Sequence, residues 1–477
     1  MKTNEFANIS RRHFFAQAFG GAMGIGIGSA ALASLLAENG FAETENTPKT
    51  LGVHPFDFAP KAKSVIYLDM AGGVPHVDLF DYKPTLVKHD QEPVPESLIN
   101  GERFAFIRGT PKLQKSPWEF KQYGQSGAWL SSLLPNTAKI VDDIAIIRSM
   151  YTTQFNHGPA QVFQFTGHQI PGRPSLGSWL SYGIGSENKD LPAFIVIFAG
   201  GENPDGGSAL WSSGFCPSVH QGVALQRRGE PIKFLSNPQG VDPQARRTSL
   251  DVVSELNAEH QETAGDPEIE TMISQYELAY RMQTSVPNLV DLSSEPEHIQ
   301  TLYGTTPGQN NFASACLLAR RMVERGVRFV QIFQRTWDMH ADVIHSAPRS
   351  CLAVDQASAA LIQDLKQRGL LDSTLVVWAS EVGRTPMAQP GKFWGRDHHP
   401  KGYTIWLAGG GIKPGVVYGQ TDEFGYNAVE NRVAVHDVNA TILHALGIEH
   451  TKLTYKFAGR NFRLTDVEGE VVKPLLV

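Results

Sequence analysis

The feature that most constrains the fold is an alternation of short apolar runs, closed by glycines, with longer segments of helical periodicity. In the C-terminal half, Val327–Phe333, Thr374–Trp378 and Tyr403–Leu407 are strand-length apolar runs, the last ending at Gly409-Gly410-Gly411. Between them, Phe312–Arg325 reads as a helix stopped by Gly326. Val354, Ala357, Leu361 and Leu365 line one face of another helix, which ends at Gly369. Val438–Leu446 forms a last helix before Gly447. Nearer the N-terminus, Lys63–Leu68, Ile144–Ile147 and Ala193–Phe198 read as further buried strands. Apolar strands separated by helices predict an α/β fold, with a mostly parallel central sheet and helices on both faces.

Two segments depart from this pattern. Residues 225–310 are polar and Glu-rich. Within them Ile269, Met272, Ile273, Tyr276 and Ala279 recur at helical spacing, so a helical insertion is expected there. The N-terminus carries Ser10-Arg11-Arg12-His13-Phe14-Phe15, which resembles a twin-arginine export motif, ahead of a Gly- and Ala-rich apolar run to about Ala37. Five glycines between Gly20 and Gly28 make that run a poor anchor. The expected organisation is a signal segment at 1–42, a polar linker at 43–60 and the main domain at 61–477. Export through the twin-arginine machinery to the periplasm or cell envelope follows from it.

The net charge of −6, without a long basic run, argues against nucleic acid as a partner. Three cysteines without CxxC spacing argue against a disulfide framework or a thiolate zinc site, and Cys316 reads as a buried core residue. Trp179, Trp378 and Trp406 read as core, His444 and His450 as packing or surface residues, and Arg320-Arg321 as a solvated helix face.

In open α/β sheets, ligands bind beyond the carboxyl ends of the strands. There this chain collects carboxylates and imidazoles: His76-Val77-Asp78, Asn156-His157, Trp337-Asp338-Met339-His340 and Glu381-Val382-Gly383-Arg384. Gly395-Arg396-Asp397-His398-His399 precedes Tyr403–Leu407. Mixed His nitrogen and carboxylate oxygen suit zinc or manganese, and calcium or magnesium if oxygens dominate. Each cluster also has a plainer reading: Glu381 paired with Arg384 or Arg396, Asp78 capping a turn, or one of His398 and His399 serving the fold.

Taken together, Met70–Asp78, Asn156–Gln161, Gly172–Trp179, Trp337–His340, Glu381–Pro386 and Gly395–His399 resemble the DUF1501 family, grouped with the alkaline phosphatase/sulfatase superfamily. The resemblance runs from about residue 50 to the C-terminus. It implies an alkaline phosphatase/sulfatase-like domain that binds a divalent metal and hydrolyses phosphate or sulfate esters, a polysaccharide among the candidate substrates. By position, Asp338, His340 and His398 would hold a first metal. Glu381, with Asp78 or His157, would hold a second metal or position water. Asp397 and His399 flank His398 and join the candidate ligands, and Arg384 and Arg396 would neutralise the ester oxyanion. The sequence departs from the superfamily pattern at two places. Val382 stands where a ligand histidine is expected, and His157 stands where a Ser or Cys nucleophile is expected. His157 is then a nucleophile, a base or ligand beside a metal-bound water, or part of a site that binds without turnover. Thr152 and Thr153 are fallback hydroxyls, and Asp437 reads as a helix N-cap. The alternative to an enzyme is an inactive superfamily member that binds sulfated or phosphorylated surface polymers.

Overall fold

The computed structural model describes residues 54–477, apart from positions 103, 105, 200–202, 227–229, 233–234, 265–266 and 392. The export segment and most of the linker lie outside the described residues. The apolar runs form a nine-stranded sheet: β1 (Ser64–Asp69), β2 (Ile144–Tyr151), β3 (Phe194–Phe198), β4 (Val223–Ala224), β5 (Phe329–Phe333), β6 (Thr374–Ala379), β7 (Tyr403–Ala408), β8 (Val416–Tyr418) and β9 (Val433–Ala434). The spatial order is β8-β2-β7-β6-β1-β5-β3-β4, with β9 also pairing with β2. β1 lies at the centre, parallel to both β5 and β6. β7 is antiparallel to its neighbours β2 and β6. A motif that precedes β7 therefore reaches the edge that the other motifs reach by following their strands.

Alternation along β1 builds a core on each face. Ile66 and Leu68 point into one cluster, with side chains of α5 (Phe312–Glu324) and α6 (Val343–Gln367). Val65 and Tyr67 point into the other, with α1 (His157–Thr166), α2 (Leu176–Ile184) and α7 (Val435–Ala445). Ile66 and Leu68 are fully buried, worth about 1.5–3 kcal/mol apiece. Trp378, Trp406 and Cys316 belong to the first core and Trp179 to the second, all of them buried. Within 225–310 the chain forms α3 (Pro243–Ala264) and α4 (Pro267–Val290). α4 adds Met282, Val286 and Leu289 to the first core, whereas Met272 of its expected apolar stripe is 43% exposed. Among the described residues, no helix is long and apolar enough to cross a membrane.

Two expectations are corrected. Arg320 and Arg321 are buried rather than solvated, at 2% and 4% exposure. Glu295 meets both guanidiniums and Asp364 pairs with Arg320, so carboxylates from other elements cover the helix face, and Glu324 of the same helix also pairs with Arg320. Asp437 is not the N-cap of α7. The helix begins at Val435, and the Asp437 carboxylate reaches back to accept the Ala434 N–H at 2.8 Å.

Candidate metal centre

Four strand ends meet at one point. The loop after β5 carries Asp338 and His340, the segment before β7 carries His398, the first residue of α1 is His157, and Glu381 follows β6. The loops approach closely because two glycines allow it. A Cβ on Gly72, where φ is +117°, would stand 2.5 Å from the Asp338 nitrogen. One on Gly395 would stand 2.1 Å from the His340 carbonyl. Arg384 and His398 face each other in a two-residue antiparallel pairing, which fixes the His398 strand.

One ligand atom each from His157, Asp338, His340 and His398 lies within 4.8 Å of the other three. Asp338 Oδ1 is 2.9 Å from His340 Nε2, 3.2 Å from His157 Nε2 and 3.3 Å from His398 Nε2. The Nε2 atoms of His340 and His398 are 2.8 Å apart. The outer nitrogens of two rings are held. His157 Nδ1 donates to Glu381 Oε1 at 2.6 Å, and His340 Nδ1 faces Gln389 Oε1 at 2.7 Å. A carboxylate or amide oxygen on Nδ1 holds the proton there and turns the Nε2 lone pair inward. Buried His157 Nε2 has no hydrogen-bond partner, because its approach to Asp338 lacks hydrogen-bond alignment. Once their inward nitrogens give up protons, three imidazoles and a carboxylate oxygen around one point form a donor set that fits zinc, manganese or iron. The Asp338 side chain is 40% exposed, so the cluster opens to solvent on one side.

The charge balance has identifiable causes. Burial works against charge on His157, but Asp338 and Glu381 outweigh it and raise its pKa to about 9. Burial also opposes ionisation of Asp338, and contacts from the three histidines and Arg384 instead drive its pKa far below the carboxylate range. Burial likewise opposes ionisation of Glu381, and the hydrogen bond and charge of His157 together with backbone hydrogen bonds, including one from Gly72, more than offset it. Asp69, at the end of β1, is pushed well above the carboxylate range by burial and by the Glu381 charge. Its Oδ1 accepts from Gln164 at 2.9 Å, while its Oδ2 has no partner.

The remaining sequence candidates are engaged elsewhere. Asp78 forms a bidentate pair with Arg396 at 2.6 and 2.9 Å, and both side chains are fully buried. Neither is free to reach a metal or an ester. Arg396 also donates to the carbonyls of Thr385 and Gln114. Arg384 donates to the carbonyls of Gly72, Gly73, Trp337 and Arg396 and, at 2.5 Å, to Asp338. It braces the Asp338 loop instead of facing solvent. His399 turns away, with Nε2 2.5 Å from the Tyr426 carbonyl, and burial lowers its pKa to about 3. Asp397 accepts the backbone N–H groups of His398 and Phe106, at 2.8 and 2.9 Å. Glu381 accepts from His157, Gly72 and Gln161, and so supports a ligand imidazole. The Thr152 and Thr153 hydroxyls accept from Gln154. Three participants carry no sequence expectation: Asp69, Gln389 and Gln161. Asp69 has a readable signal, a carboxylate closing an apolar strand. The two glutamines have none.

No curated protein matches the chain. Among solved structures it is similar to a phosphonate monoester hydrolase of Agrobacterium radiobacter, at 12% identity over 88% of this chain and 77% of that one, with a TM-score of 0.35. A sulfatase from Pseudoalteromonas sp. gives 14% identity over 88% and 70%, with a TM-score of 0.32. A protein in the alkaline phosphatase superfamily from Vibrio parahaemolyticus gives 13% identity over 92% and 79%, with a TM-score of 0.35. Likenesses this distant carry no argument about the site. The family model described as "Protein of unknown function (DUF1501)" matches residues 62–476, nearly all of the described chain, and the protein belongs to that family.

Proposed function

We propose that this protein is an exported, metal-dependent hydrolase of phosphate or sulfate esters. One observation carries the reading: three inward imidazole nitrogens and one carboxylate oxygen converge at the carboxyl edge of the sheet. His157, Asp338, His340 and His398 would hold a divalent cation, which would supply Lewis-acid polarisation of an ester oxygen and activation of water. Glu381 holds His157 with Nδ1 protonated, and Gln389 orients His340 in the same way. Arg384 neutralises Asp338 from the protein side and leaves the solvent side open for an ester. The buried pair of Arg396 and Asp78 locks the segment that presents His398. In this reading His157 is a ligand, not a nucleophile. Export rests on the Ser10–Phe15 motif of the sequence.

A second reading has its own support. Four protein ligands can close a tetrahedral set, and closed sets are typical of structural metals. A protein that binds an anionic polymer without turnover would be built this way. The distinguishing experiment compares metal-loaded and chelator-stripped protein on p-nitrophenyl phosphate, bis(p-nitrophenyl) phosphate and p-nitrophenyl sulfate. The double variant Asp338→Ala with His398→Ala serves as background. Hydrolysis that needs the metal and vanishes in the variant is expected. A loaded parent that cleaves none of them shifts the weight to the binding reading, and a folded parent that takes up no metal overturns both.

A further inference from the structure

Phe106 stands at the open side of the cluster. Its ring lies 4.6 Å from the His340 ring and 6.0 Å from the His398 ring, edge-on to both at 61° and 78°. It is nevertheless 52% exposed. Isolated exposed apolar residues are common on protein surfaces. Two features set this one apart. It contacts two of the candidate ligand imidazoles, and its backbone N–H is fixed by Asp397, a residue 1% exposed. The same carboxylate holds the His398 N–H, so the Phe106 ring is tied to the strand that presents a ligand. Arg384 and Arg396, the cations expected to recognise the ester, are committed to internal acceptors. Recognition beyond the reacting anion therefore falls to the rim, and on the His340 and His398 side the rim is a half-exposed phenyl face.

We infer that Phe106 is a specificity-determining residue that stacks on an aromatic group of the ester, making aryl esters the preferred substrate class. The inference rests on the proposed ester-binding site. Phenyl sulfate and methyl sulfate carry the same charged group and differ in the organic one. Calorimetric titration of the metal-loaded full chain is expected to show phenyl sulfate binding about fivefold tighter, the size of one aromatic contact. Phe106→Ala removes that preference, Phe106→Tyr retains it, and both variants keep the parent's metal content and its affinity for methyl sulfate. A parent that binds the two sulfates equally, or binds neither, overturns the inference. So does a Phe106→Ala variant that keeps the preference. Metal content measured on the same samples separates this outcome from failure of the metal centre. A parent without metal contradicts that reading, while the phenyl and methyl comparison still reports on Phe106.

Discussion

The Asp338 cluster and the Arg396–Asp78 pair sit on neighbouring segments at one sheet edge, and their residue types look alike in sequence. Their surroundings are opposite. Around Arg396 each donor has an acceptor: Asp78 takes two bonds, and the Thr385 and Gln114 carbonyls take the others. Around Asp338, the Nε2 atoms of His340 and His398 bond only within the cluster and to Arg384, His157 Nε2 has no hydrogen-bond partner, and one side is open. A satisfied buried pair holds loops in place, whereas convergent ligand atoms that include a buried nitrogen without a partner leave a place for an added group. Charged residues at a strand end thus divide into scaffold and centre, and the division follows hydrogen-bond saturation, not residue type.

This contrast can be broken by mutation. The largest effect is expected from Asp78→Ala, which leaves the Arg396 guanidinium buried without its counter-charge. Stability should fall by about 3–5 kcal/mol, read by chemical denaturation, while the protein that remains folded still binds metal. Asp338→Ala should weaken metal affinity about a hundredfold, a loss Asp78→Ala does not share, and it also destabilises the metal-free protein because buried Arg384 loses its counter-charge. If both variants lose metal affinity alike, the division into scaffold and centre is wrong. Glu381→Gln keeps an acceptor for His157 but removes the charge, and metal affinity should weaken about tenfold.

The smallest effect is one of pH. His157 in the metal-free fold has its pKa raised to about 9 from 6.5. Its protonated form therefore stabilises the metal-free protein fully below about pH 6.5, and that stabilisation is lost as pH rises through about 9. Metal must displace this proton, so uptake at pH 7.5 should release about one proton, measurable by calorimetry in buffers of different ionisation enthalpy. Release of none would remove His157 from the ligands.

Much of the sheet is legible in the sequence, because parallel strands covered on both faces must be apolar on both. Val65–Leu68 and Leu375–Val377 show this directly. The direction of β7 is not legible, since an apolar run carries no mark of its polarity. His157, Asp338, His340 and His398 are each visible as ligand-type residues at strand ends. Their convergence depends on close loop approaches such as those at Gly72 and Gly395. The engagement of Asp78 by Arg396 is hidden because the partners are 318 positions apart. Spacing cannot tell a guanidinium that meets a carboxylate from one that awaits a ligand. Arg320 and Arg321 fail in sequence for the same reason, since their covering carboxylates include Glu295, ahead of their own helix, and Asp364, beyond it.

The central claim is that His157, His340 and His398 join Asp338 around one metal ion. X-ray absorption at the edge of the metal bound to the purified full-length protein tests it most directly. The account predicts imidazole scattering from three rings with oxygen completing the shell, falling to two rings in His157→Ala. A shell of oxygens alone, a sulfur contribution, or a His157→Ala spectrum unchanged from the parent would contradict it.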